Sequence, residues 1–304
     1  MGTKVEALRK QLYNAEVVAI RNPHPDVAIL RVRPDKPIQP YSPGQWTQLG
    51  LGMWEPRCPG CPEDSLDEDQ QRMMVKRPYS LSSPMLLEKE DTLWPESDNT
   101  FEFFLSVAPE LGVGTSGPAL TARLFALQEG SRLWVDSEPK GNYTLDEVRT
   151  TQDVVFLATG TGEAPHNRMV WELLRNGHKG HVASAVTVRK QADLVYRTVH
   201  ERLEQMFPNY RYVPIATQEP TVVGSRLQNM LESGLLEEKL GTDLDPESTH
   251  VFLCGNPGML GRPTQEEGSD ELVFPKPPGM IELLHKRGYA LDPPGPHGLH
   301  FERF

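Results

Sequence analysis

Arg77, Tyr79 and Ser80 set a cation, an aromatic ring and a hydroxyl side by side in the Pro-punctuated stretch VKRPYSLSSP. A guanidinium pairs with phosphate in forked geometry, a ring offers a stacking face, and a hydroxyl donates a hydrogen bond. A second stretch, LATGTGEAPHNRMV, ends an apolar run in Gly160 and Gly162 and places Pro165 where a helix would begin. Glycines there let the backbone approach a phosphate, and a helix start supplies unbonded N–H groups. The spacing is G-T-G-x-x-P rather than G-x-G-x-x-G, and alone it fits a plain tight turn equally well.

Cations and a thiol recur further along. Arg189 ends the next apolar run, HVASAVTVRK, where a nucleotide fold selective for NAD places an acid on the ribose 2′-hydroxyl. An arginine there suits a 2′-phosphate, although an exposed strand-end arginine is an equal reading in isolation. Arg226, in VGSRLQNM, is a second cation near a later strand end. In VFLCGNPGM, Cys254 closes a buried run before a sharp Gly-Asn-Pro bend. Cysteine is often simply buried, but ligands in open α/β sheets bind at the carboxyl ends of strands. Cys58 and Cys61, in CPGC, have the spacing of a redox pair or half a zinc site, with an ordinary loop as the default. Only Cys254 remains beyond them, so four thiolates for an iron–sulfur cluster are not available, and no metal site is assigned.

The elements that must hold these residues fall into two groups. Short strands are expected at 16–20, 26–32, 45–49, 77–81, 101–107 and 132–135, with one helical piece over 120–127. Gly, Pro, Asn and Asp separate them at intervals that suit an antiparallel barrel or sandwich. From about Thr150 the pattern changes to DVVFLATGTG, HVASAVTV, YRYVPIA and THVFLCG, with helical stretches at 165–175, 192–206 and 223–240. Such alternation predicts a parallel sheet covered on both faces. The expected domains are 1–150 and 151–304. Residues 55–70, with six acids and one base, and residues 261–279 look like surface insertions, the first largely solvated.

Bulk properties narrow the function. The 304 residues suffice for two domains, and 38% apolar with 24% charged residues is the balance of a soluble globular protein. A net charge of −11 argues against a general nucleic-acid binder, and no apolar run is long enough to span a membrane. The start MGTKVEALRK lacks a signal-peptide core, and three cysteines make no disulfide framework, so a cytoplasmic location is expected.

R-x-Y-S in a barrel, G-T-G-x-x-P after the first strand of an α/β domain and C-G-N-P-x-M after its last strand occur here in that order. The chain thereby resembles the ferredoxin–NADP reductase superfamily, and its bacterial ferredoxin (flavodoxin)–NADP reductases in particular, over most of its length outside the two insertions. The resemblance implies an antiparallel β-barrel FAD-binding domain followed by an α/β parallel-sheet NADP-binding domain. It implies that Arg77 holds the FAD pyrophosphate, Tyr79 stacks on one flavin face and Ser80 hydrogen-bonds near flavin N5. GPALTARL is similar to the family's second FAD element, which brings in the backbone at Leu120 and the Thr121 hydroxyl. Thr161 and Gly162 would meet the NADP pyrophosphate, Arg189 and Arg226 its 2′-phosphate, and Cys254 the nicotinamide. In the ending HFERF, Phe304 would cover the other flavin face and Glu302 would handle a proton or tune charge.

The implied activity is electron exchange between NADPH and a one-electron carrier, ferredoxin or flavodoxin, through FAD. The alternatives are a reductase component for another acceptor, such as an oxygenase, and a non-catalytic redox-sensing flavoprotein. Three departures stand out. Glu163 replaces an apolar residue beside the phosphate loop, Gln218 stands where close relatives carry arginine, and the terminal ring is Phe.

Overall fold

Ala15 and Val17 turn inward while Glu16 faces solvent, the period-two pattern of a strand with one buried side. The computed structural model describes residues 2–87, 92–94, 99–107, 120–219, 226–265, 271–291 and 298–303. The chain separates into two units, Met1–Pro84 with Trp94–Asn142, and Met85–Leu93 with Tyr143–Phe304.

The first unit opens with a helix that the reading above did not anticipate, α1 (Gly2–Leu12). Val5, Leu8 and Leu12 recur at i, i+3 and i+7 and form its half-buried side. Strands β1 (Ala15–His24), β2 (Val27–Pro34), β3 (Trp46–Gly52) and β4 (Met74–Ser80) follow. A short pair, β5 (Leu86–Leu87) and β6 (Thr92–Leu93), groups with the second unit. Strand β7 (Phe101–Ser106), helix α2 (Leu120–Leu124) and β8 (Arg132–Val135) complete the first. Its six strands form one antiparallel sheet in the order β4-β3-β8-β1-β2-β7. Just past β4, the Ser82 N–H donates to the Glu102 carbonyl of β7 at 2.8 Å, so the two edges meet and the sheet closes into a barrel. Val17, Leu30, Leu49, Phe101, Phe103 and Leu133 fill the interior.

Insertion 55–70 is mostly exposed, as its composition implies, but two of its carboxylates are buried. Glu55 accepts hydrogen bonds from Arg9 Nε and Tyr13 Oη, both at 2.8 Å, and from Trp54 Nε1 at 3.0 Å. Asp64 lies between Arg57 and Arg123, of which Arg123 belongs to α2. Cys58 and Cys61 are joined as a disulfide, the pairing that their spacing left open beside the default of an ordinary loop. The turn is seated on α2 by the Cys58 N–H, which donates to Ala122 O at 2.7 Å, and by apolar contact with Ala122 and Phe125.

The second unit alternates strand and helix. Its strands are β9 (Asp153–Thr159), β10 (Val182–Val188), β11 (Tyr210–Ala216), β12 (Thr249–Gly255) and, beyond the pair β13 (Thr264–Gln265) and β14 (Leu272–Val273), β15 (Leu299–Arg303). Helices α3 (Glu163–Arg175), α4 (Arg197–Met206), α5 (Leu227–Glu232), α6 (Leu235–Leu240), α7 (Pro257–Leu260) and α8 (Met280–Lys286) lie between them. The helix expected over 223–240 is broken into α5 and α6 because Gly234 is left-handed, at φ 78°.

All five strands run parallel in the order β11-β10-β9-β12-β15. The order reverses between β9 and β12, which is the topological switch point of a doubly wound sheet. The two faces of this sheet differ. Val155, Leu157, Ala183, Val213, Val251 and Leu253 pack with α5, α6 and α8 as an aliphatic core. The opposite face carries Phe156, Tyr210, Tyr212 and Phe252, in ring contact with histidines of α3, α4 and β15.

Candidate functional site

In the first unit two of the sequence-predicted residues, Tyr79 and Thr121, are joined by a hydrogen bond. Arg77 and Tyr79, two apart on β4, share a face of the strand, while Ser80 points the other way and is buried. Tyr79 Oη lies 2.8 Å from Thr121 Oγ1, which joins the β4 segment to α2 across 42 residues of sequence. Burial pushes the Tyr79 phenol up to about 12, although the Thr121 hydroxyl and the Arg77 charge act against it, so the phenol stays protonated. Its ring stands edge-on to Phe103 with centroids 6.5 Å apart. Arg77 is exposed and donates from Nη1 to the Lys76 carbonyl at 2.8 Å. Leu120 is buried and Thr121 half-buried, so the helix keeps its hydroxyl at the edge of the core. A cation, a ring and a hydroxyl at this spacing fit a dinucleotide with a planar ring system.

In the second unit the GTG and CGN segments meet at the switch point. Gly160–Gly162 form a single tight helical turn leading from β9 into α3. A Cβ on Gly162 would lie 2.1 Å from the Cys254 carbonyl oxygen, so only glycine allows this approach of the two strand ends. A Cβ on Gly160 would meet nothing within 4 Å, which leaves that side of the turn open to a ligand. Thr159 Oγ1 accepts from Asn256 N at 2.9 Å and from Asn256 Nδ2 at 3.0 Å. Asn256 in turn caps α7, accepting from Met259 N at 2.9 Å. Thr161 is half-buried on this turn. An open glycine turn at a switch point fits a nucleotide phosphate.

Cys254 and Glu302 are register partners on the neighbouring strands β12 and β15. Burial, and then the Glu302 carboxylate, raise the Cys254 thiol well above its ordinary range, so it is a neutral donor rather than a thiolate. Tyr143, which sequence reasoning missed, is drawn into this group. Burial, then the negative charges available to Cys254 and Glu302, push its phenol far up. Its Oη is 2.7 Å from His166 Nε2 of α3, and its ring packs edge-on to Phe252. No local pattern marks Tyr143, because its partners lie 23 and more residues away. Phe304 lies outside the described residues.

Arg189 and Arg226 belong to different strand ends of the second unit. Arg189 is half-buried just beyond β10, and its carbonyl accepts from Gln218 N at 2.9 Å, so Gln218 stands at the adjacent strand end. Arg226 is exposed at the start of α5. An acid also reaches this corner, since Glu219 Oε1 accepts from Gln191 N at 2.8 Å. Glu163, which the resemblance would set beside a phosphate, turns away and is fully buried against His200 Nε2 at 3.1 Å and Tyr212 Oη at 3.3 Å. Among the described residues no three His, Cys, Asp or Glu side chains form a metal-binding group, and no helix is long and apolar enough to cross a membrane.

Comparison with known proteins agrees with this architecture. Residues 156–262 match the oxidoreductase NAD-binding domain family. The flavodoxin/ferredoxin–NADP reductases of Escherichia coli (strain K12) and Shigella flexneri are each 30% identical over 234 residues, spanning 75% of this chain and 79% of theirs. A crystal structure of a ferredoxin NADP+ reductase from Neisseria gonorrhoeae, with bound FAD and NADP, superposes with a TM-score of 0.70 at 20% identity, covering 95% of this chain and 97% of that one.

Proposed function

Because the chain belongs to the flavodoxin/ferredoxin–NADP reductase family, we propose that it exchanges electrons between NADPH and a one-electron carrier protein, ferredoxin or flavodoxin, through FAD. The observation that carries this reading is the pairing of Cys254 and Glu302 in register beside the GTG turn at the switch point. FAD would sit on residues 1–150 and NADP on 151–304. The acidic net charge and the absence of a spanning helix among the described residues are compatible with the cytoplasmic setting proposed here.

The flavin supplies the conversion between two-electron hydride chemistry and single-electron transfer. The protein's own residues bind, orient and protonate. Arg77 offers a forked cation to a pyrophosphate, Tyr79 a stacking face held by Thr121, and Ser80 a hydroxyl for a ring nitrogen. Stacking of this kind contributes about 0.5–1.5 kcal/mol beyond burial. Thr161 and the Gly162 backbone cradle the second pyrophosphate, and Arg189 with Arg226 takes the 2′-phosphate. Cys254 keeps its proton and fills the space beside the nicotinamide, while Glu302 sets the local charge. Phe304 follows Glu302 by two residues and would cover the flavin face until displaced.

An absorption spectrum of the purified protein, followed by anaerobic addition of NADPH and then NADH, tests this directly. A two-banded flavin spectrum that bleaches quickly with NADPH and slowly with NADH is expected. A protein that cannot be loaded with FAD would overturn the proposal. Equal bleaching by both would leave the reductase but remove the role given to Arg189 and Arg226.

A further inference from the structure

The titratable face of the second unit's sheet contains a hydrogen-bond chain that binding of a nucleotide does not require. At one end, Tyr143 Oη lies 2.7 Å from His166 Nε2, and Tyr143 feels the charges of Cys254 and Glu302. At the other, His200 Nε2 reaches both Asn167 Oδ1 at 3.0 Å and Glu163 Oε1 at 3.1 Å. Two acceptors on one ring nitrogen require His200 to carry its proton on Nε2. Its Nδ1 is then the acceptor for Tyr210 Oη at 2.7 Å, and Tyr212 Oη donates to Glu163 Oε1 at 3.3 Å. Every proton around Glu163 therefore points at its carboxylate.

Two atoms interrupt the chain. Glu163 Oε2 and His166 Nδ1 are both buried and have no hydrogen-bond partner among the described residues. Both residues are 0% exposed, a costly state for unmet polar groups. They are not scattered. Glu163 and His166 are three apart on α3, so they lie on one helix face with Cβ atoms about 5–6 Å apart. One is an acceptor and the other becomes a donor if Tyr143 gives its proton to Nε2. Burial, with His200 nearby, lowers His166 to about 3, so at neutral pH the ring is uncharged and one nitrogen must accept.

We propose that an ordered water joins His166 Nδ1 to Glu163 Oε2 and completes a buried proton relay from Tyr143, beside Cys254 and Glu302, to Glu163. The relay deepens the functional reading above and rests on it for the role of the Cys254–Glu302 end. A protonated Glu302 that gives up its proton toward Tyr143 Oη sends the phenolic proton to His166 Nε2. The Nδ1 proton passes to the water, and one water proton passes to Glu163 Oε2. Four bonds to hydrogen break, on Glu302, Tyr143, His166 and the water, and four form, on Tyr143, His166, the water and Glu163; no electrons move, and the net change is one proton carried from Glu302 to Glu163. Reversal returns the proton. Tyr143, His166 and Glu163 are thus proton-carrying and positioning residues behind the site rather than groups that touch substrate.

Two measurements on the full chain decide it. The first needs no cofactor: an atomic-resolution crystal structure, with nitrogen NMR of histidine-labelled protein. Expected are a solvent oxygen within hydrogen-bond distance of both atoms, and a His166 protonated on Nδ1. Absence of that oxygen, or a proton on Nε2, overturns the relay. The second is the infrared difference spectrum between oxidised and NADPH-reduced protein loaded with FAD. A carboxylic carbonyl band is expected that disappears in Glu163→Gln and is also lost in Tyr143→Phe, which keeps the ring packing on Phe252. A band that persists in Tyr143→Phe overturns the relay. Failure to bind FAD would instead sink the reductase reading, and the first measurement would still judge the water bridge.

Discussion

At the scale of single residues, the proposed function puts coenzyme choice at the strand-end corner of Arg189, Gln218 and Glu219. The Gln218 N–H bonds the Arg189 carbonyl, so a side chain at 218 starts from the strand end beside Arg189. Gln218→Arg adds a forked cation there, and a charge-assisted hydrogen bond contributes about 1.5–3 kcal/mol. The ratio of kcat/KM for NADPH over NADH is expected to rise by roughly tenfold or more. The variant's ratio staying at the wild-type value would show that the 2′-phosphate is read elsewhere. The sequence made Arg189 and Gln218 visible because their meaning depends on strand-end position alone. Glu219 was not visible as a participant, since its hydrogen bond to Gln191 crosses 28 residues. Glu163 was noticed as an anomaly, but its direction was illegible. Whether an acid at a helix start faces a phosphate or the core depends on His200 and Tyr212, neither of them near in sequence.

At the scale of elements, the acidic insertion acts as a clasp on α2. Asp64 is held by Arg57 and by Arg123, and the side chains of all three are less than a tenth exposed. Removing the acid leaves two buried cations without their partner, a change that typically costs about 3–5 kcal/mol. Asp64→Ala should therefore lower the melting temperature and speed hydrogen exchange over both 55–70 and α2. Faster exchange in the insertion alone would mean that the clasp does not hold the helix. Since Thr121 of α2 bonds Tyr79, the same variant should also weaken flavin retention. Composition correctly marked the insertion as a surface feature, yet six acids look alike until two of them find arginines. The barrel and the doubly wound sheet were legible because period-two and buried runs are local. Helix α1 was not, as only three of its residues face inward. The break between α5 and α6 depended on one glycine adopting a left-handed turn.

At the scale of the whole chain, the two units carry opposite kinds of buried ionisable groups and should respond to acid at different pH. In the second unit His166 is lowered to about 3 and His300 to about 4, in both cases chiefly by burial and then by a neighbouring histidine. An unfolded histidine titrates near 6.5, so below that value the unfolded chain binds protons that the folded unit refuses. Stability from these groups is complete above pH about 6.5 and is lost as pH falls through the range down to about 3–4, amounting to roughly 3–5 kcal/mol per histidine. The first unit relies on a carboxylate whose shift has the same sign but acts at lower pH. Glu55 is lowered, since the hydrogen bonds and charge of Arg9, with Tyr13 and Trp54, overcome the burial that would raise it. Its contribution is present above the ordinary glutamate range and is lost only as pH falls through a folded value below that range. Acid should thus loosen the second unit first. Trp171 is the one tryptophan of that unit, whereas Trp46, Trp54, Trp94 and Trp134 belong to the other. Fluorescence of Trp171, isolated by comparison with Trp171→Phe, should change between pH 6 and 4, before the remaining tryptophans respond. His300→Phe, which keeps a ring stacked on Phe252, should move that first transition to lower pH and leave the second where it is. A single coincident transition that His300→Phe does not shift would show that the buried histidines do not set the acid limit of the fold.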